Sequence, residues 1–151
     1  MNHSGRSLIE MMGVLALGGI MLGGTISMFR TVRRDVARTE ALQRLEKIVE
    51  DRRLYKSQKD FSGISKASLI RDKIIAEDEK IAGYNFRITV PEDAKSWSII
   101  FDDMDYGDCR YFAAAKMPWA AGASVNNREV KDPEYVQCAE SYKNKVEIII
   151  K

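Results

Sequence analysis

Nineteen consecutive residues without a charge, Met11 to Phe29 (MMGVLALGGIMLGGTISMF), constrain this chain more than any other feature in it. As a helix rising 1.5 Å per residue the run is roughly 28 Å long, close to the hydrocarbon thickness of a bilayer. A cleaved secretory signal peptide is the rival reading. The run is longer than a usual signal core, Glu10 interrupts its front, and no A-x-A-like site follows before Arg30, so the segment reads as retained.

The stretch from Arg30 to about Gln58 is highly charged and holds no Gly or Pro. Val32, Val36, Leu42, Leu45, Ile48, Val49 and Tyr55 recur mostly at three- and four-residue steps, the pattern of an amphipathic helix with a narrow apolar stripe. Nothing breaks the join at Phe29–Arg30, which predicts one continuous helix of about 50 residues from about Ser7. Its second half needs a partner for its stripe, and the C-terminal region supplies one.

From Lys59 the texture changes. Asp60-Phe61-Ser62-Gly63 reads as a turn and Ser65–Glu79 as a short helix with Ile70, Ile74 and Ile75 on one side. Tyr84–Val90 alternates and ends at Pro91, a strand signal, and Trp97, Ile99 and Phe101 alternate in a second strand. Asp108 is placed to N-cap a short helix through about Lys116. Gly122 and Asn126-Asn127 mark loops, and Val146–Ile150 reads as a final strand. The expected class is α+β: a long helix, hydrophobic in its first half and amphipathic in its second, packed on a small, mostly antiparallel sheet.

Net charge is +2, too balanced for a uniformly basic nucleic-acid binder, and 45% hydrophobic content is too high for a disordered chain. The charge segregates, with ten Lys/Arg against six Asp/Glu over Arg30–Asp60 and nine acids against three bases over Glu77–Asp108. Two cysteines cannot build a four-cysteine zinc site, and one His, His3, excludes most His-based catalysis. There is no P-loop and no G-x-G-x-x-G at a strand–helix junction. No catalytic residue, cofactor or metal site is expected, and the chain reads as a non-enzyme.

Glu10 at the edge of the apolar run admits two readings. A carboxylate there sits at headgroup level as a helix-start acid, or it is paired, because an unpaired intramembrane charge is costly. Cutting after Gly5 exposes an amine at Arg6, one helical turn from Glu10, and the two charges pair best between staggered neighbouring copies. Gly13, Gly18, Gly19, Gly23 and Gly24 are many for a plain anchor, since each costs up to ~1 kcal/mol against Ala. Gly19 and Gly23 have the spacing of a close helix–helix contact; a merely glycine-tolerant membrane segment is the alternative.

Gly5-Arg6-Ser7-Leu8-Ile9-Glu10 followed by the apolar run resembles the type IV prepilin signature. The resemblance implies cleavage between Gly5 and Arg6 by a prepilin peptidase, N-methylation at Arg6, and assembly through Glu10. It departs from the family in having Arg rather than an apolar residue at the new N-terminus, and no Lys or Arg in the leader. It implies a type IV pilin fold divided into a 1–5 leader, a 6–29 membrane and filament-core helix, a 30–58 amphipathic continuation and a 59–151 head. It implies an inner-membrane precursor, single-pass with its C-terminal part in the periplasm, that later enters a surface pilus or a periplasmic pseudopilus. Arg30, Arg33, Arg34 and Arg38 oppose that orientation by the positive-inside rule. The implied partners are the peptidase, identical or homologous subunits, an assembly platform and membrane lipid; DNA has no support beyond the Arg cluster.

In an exported chain, Cys109 and Cys138 suggest a disulfide closing loop 109–138, with two buried thiols as the alternative. The pair extends the resemblance to the disulfide-closed C-terminal loop of type IVb pilins. Asp102, Asp103, Asp105 and Asp108 lack EF-hand spacing and read as a solvated turn rather than a calcium loop. The Arg30–Arg38 cluster is expected to pair with acids of neighbouring subunits, and Trp119 either contacts a receptor or caps the core. A secretion pseudopilin, a minor tip pilin and a membrane-anchored periplasmic binding module that never polymerises are the alternative functions.

Overall fold

The computed structural model describes the backbone of residues 8–55, 61–141 and 143–151, with side chains described throughout these except at 8–10, 14, 17–27, 54 and 55. It divides into two compact units, Met1–Ala37 and Arg38–Lys151.

One helix, α1, runs Leu8–Tyr55, within a few residues of the predicted span. In the first unit its apolar side chains at Met11, Met12, Leu15, Met28, Phe29, Val32 and Val36 are all exposed. Val32 and Val36 therefore do not belong to the buried stripe the sequence suggested. In the second unit Ala41, Leu45, Ile48, Val49 and Arg52 are buried. These positions step by four, three, one and three, so one face of the helix enters the core.

The second unit is α+β. A five-stranded sheet is built from β1 (Phe86–Thr89), β2 (Trp97–Met104), β3 (Gly122–Val125), β4 (Arg128–Glu129) and β5 (Asn144–Ile150), in the spatial order β1-β2-β5-β3-β4. All of its described pairings are antiparallel. The C-terminal strand β5 thus lies between β2 and β3. Its burial alternates residue by residue, with Asn144, Val146, Ile148 and Ile150 facing inward. Trp97, Ile99 and Phe101 of β2 join them, and the Phe101 ring lies tilted against Phe86 at a centroid distance of 6.2 Å and stacked on Phe112 at 5.9 Å.

Several expected elements shift. The helix expected over Ser65–Glu79 is confined to α2, Lys66–Arg71, opened by a capping box in which Ser65 and Ser68 exchange backbone-to-hydroxyl bonds of 3.0 and 3.1 Å. Lys73 adopts a φ of +58°, which ends the helix, and Ile74 and Ile75 reach the core from the following turns instead. The second short helix, α3, spans Tyr106–Ala114 and is capped by Asp105 rather than Asp108. Gly122 opens β3 rather than a loop. Asn126 and Asn127 do form a turn, the β3–β4 hairpin, with φ of +51° and +66°. Asn tolerates this left-handed conformation, which matches the right-handed twist of paired strands.

Candidate functional site

Cys109 and Cys138 form a disulfide in the second unit, 29 residues apart. Cys109 lies in α3, and Cys138 follows the short 3₁₀ turn Pro133–Tyr135. The bridge encloses β3, β4 and that turn. In the chain-entropy treatment a loop of this length contributes about 3.6 kcal/mol.

The residue beside Cys109 organises the same end of α3. Asp108 is buried, at the third helical position, and its amide N–H is held by the Asp105 carboxylate at 2.8 Å. Its own carboxylate accepts from Arg38 Nε of α1 at 2.8 Å and from the Tyr84 hydroxyl at 2.7 Å. Burial first, and then the bond to Asp108, push the Tyr84 phenol well above its usual value of 10.0. The Arg38 guanidinium also lies 5.1 Å over the Tyr111 ring. A charge-assisted bond between partly buried partners is stronger than a surface pair.

A second clasp joins Arg44 of α1 to Glu79 through both guanidinium and carboxylate edges, with Arg44 Nη2 also donating to the Ile74 carbonyl at 2.8 Å. The hydrogen bond from Arg44 is the main cause holding Glu79 below its ordinary 4.5, and it raises Arg44 in turn. These two clasps fasten α1 from Arg38 onward to α3 and to the segment around Ile74 and Glu79, and its apolar face joins the core of the second unit.

The four aspartates are therefore not a solvated turn as a group. Asp105 caps α3, Asp108 is buried, and Asp102 pairs with Arg87, with Nε–Oδ2 at 3.1 Å. No cluster of metal-ligating side chains occurs among the described residues. Of the arginine cluster, Arg38 is committed inside its own chain, which corrects the expectation that it serves neighbouring subunits. Trp119 is half-buried and packs against the core.

Gly5 and Arg6 lie outside the described residues. Glu10, Gly19 and Gly23 lie within α1, with their surroundings outside the described side chains. Among the described residues, no helix is long and apolar enough to cross a membrane.

Sequence reasoning missed two buried polar residues. Asn144 is fully buried and donates through Nδ2 to the carbonyls of Met104, Ala139 and Ser141, while its Oδ1 accepts from Ala139 N at 2.7 Å and from Asn126 Nδ2. Arg52 is buried to 5% exposure, and its Nε and Nη1 have no hydrogen-bond partner among the described residues. A polar residue opening an apolar strand, and an Arg in register with Leu45 and Ile48, were the available signals. No protein-family model matches the chain, and no curated protein matches it either.

Proposed function

We propose that this chain is a type IV pilin-like structural subunit, cut after Gly5 and assembled into a filament through the first half of α1. The observation that carries the reading is the division of one 48-residue helix into two regimes. From Arg38 its apolar face is buried against an antiparallel sheet. Before that, every described apolar side chain is exposed. Exposed apolar surface on this scale needs a cover, and lipid followed by neighbouring subunits supplies it. The Gly5–Glu10 motif and the disulfide-closed C-terminal loop support the same reading.

The physical step is charge neutralisation. Within hydrocarbon, the Arg6 amine of one copy and the Glu10 carboxylate of another each remove the other's desolvation penalty, which sets the stagger of the helices. The head then forms the surface, its loop held by the disulfide.

Two measurements test this. Mass spectrometry of envelope protein should show a chain beginning at Arg6, and a retained Met1 overturns the proposal. Glu10→Ala should abolish filaments while leaving the melting of the head unchanged; undiminished filament yield overturns it as well.

A further inference from the structure

A cavity in the head is flanked by carboxylates, and an exposed aromatic side chain on α1 carries a guanidinium over its ring. Phe29 is 62% exposed, and the Arg33 guanidinium, one turn later, lies 5.6 Å over its ring. Together they make an aromatic group topped by a cation. In the second unit, a cavity of about 300 Å³ opens beside the edge strand β1. Tyr84 and Phe86 line it, and Asn85, Arg87, Asp102 and Asp103 stand around it.

The rim is acidic for a structural reason. Strand β2 slips register between Phe101 and Met104, and Asp103 takes a φ of +58°. A regular strand would turn one of two successive residues inward, yet here both Asp102 and Asp103 are exposed. Arg87 grips Asp102 with one hydrogen bond and one ion-pair contact, each of 3.1 Å. Asp103 has no ion-pair partner among the described residues, which leaves its carboxylate open to an incoming cation, while the Lys66 ammonium lies 4.7 Å over the Phe86 ring.

We infer that the Phe29–Arg33 knob of one copy seats in the Tyr84–Phe86 cavity of a second copy, with Arg33 paired to the Asp103 of that copy. The occupant is this same chain because the exposed helix face bears arginines and the head segment Glu77–Asp108 is acidic, nine carboxylates against three bases. Knob and cavity are different surfaces, so the contact is heterologous: each copy both gives and receives, and the contact repeats without closing unless the rotation closes a ring. This rests on the filament reading and names the surface that joins helix to neighbouring head.

The experiment uses the full chain in cells that assemble filaments. Arg33→Glu and Asp103→Lys should each lower filament yield about tenfold, the size of one lost charge-assisted contact. The double variant should recover to about half of the wild-type yield or more. Met28→Cys with Asn85→Cys, treated with a short bifunctional thiol reagent, should give a ladder of covalent multimers of this chain. Wild-type yield in both single variants, no recovery in the double variant, the absence of a ladder, or cross-linking to a different protein each overturns the interface. In all of these, normal wild-type filaments leave the filament reading standing. If the wild-type chain forms no filaments, both fall.

Discussion

Arg38 donates its Nε–H to Asp108 Oδ1 at 2.8 Å, tying α1 to the first turn of α3 across 70 residues of chain. Because Asp108 also accepts from Tyr84 and neighbours Cys109, the helix, the turn before β1 and the disulfide loop meet on one carboxylate.

Removing that carboxylate should be costly. Asp108→Ala removes the carboxylate that the part-buried Arg38 guanidinium and the half-buried Tyr84 phenol both donate to. It should lower the unfolding free energy by about 3 kcal/mol, the low end for breaking a buried pair. Asp108→Asn should cost less, since an amide oxygen still accepts from Tyr84 without neutralising Arg38. Urea denaturation of the two variants measures the difference. Equal stability of wild type and Asp108→Ala would refute the clasp.

Arg52 should behave in the opposite sense. A buried guanidinium with two nitrogens, Nε and Nη1, unpartnered among the described residues is already paying its desolvation penalty. Arg52→Met keeps the volume and removes the charge, so it should be neutral or stabilising by about 1–2 kcal/mol. Thermal melting decides it, and a clear drop in Tm would show that Arg52 has an acceptor after all.

The Arg44–Glu79 clasp gives a pH signature. Glu79 is held below 4.5 in the folded chain, so between 4.5 and its depressed native value the unfolded chain binds the extra proton. Stability from this pair is complete above pH 4.5 and is lost as pH falls through the native value. Glu79→Gln should therefore be less stable at neutral pH and show a flatter loss of stability below pH 4.5. Parallel acid titrations of Tm in the two proteins would contradict this.

Asn144 tests the polar centre under the disulfide loop. Asn144→Ala leaves the carbonyls of Met104, Ala139 and Ser141 and the amide of Ala139 without their side-chain partner. The expected loss is about 3 kcal/mol. Asn144→Asp should be as damaging, because it sets an acceptor against three carbonyl oxygens. Chemical denaturation at fixed redox state checks both, and tolerance of Asp would show that the amide does not act as a donor there.

What the residues alone determined is local and periodic. The uninterrupted run from Leu8 to Tyr55 without Pro fixes one helix, two-residue alternation marks the strands around Phe86 and Trp97, and the apolar run at Val146–Ile150 marks the last. Paired asparagines dictate the tight turn at Asn126, because that turn demands positive φ. The tertiary structure decided the rest. Sequence order placed β5 last, yet it pairs between β2 and β3, since strand neighbours are chosen by which inward faces complete the core. The stripe Val32–Tyr55 looked uniform, but among its described side chains burial begins only at Ala41. Asp108 looked like a cap and is instead a buried acceptor, because Arg38 and Tyr84 arrive from 70 and 24 residues away. Periodicity reports which face of an element is apolar; only the folded chain reports what that face meets.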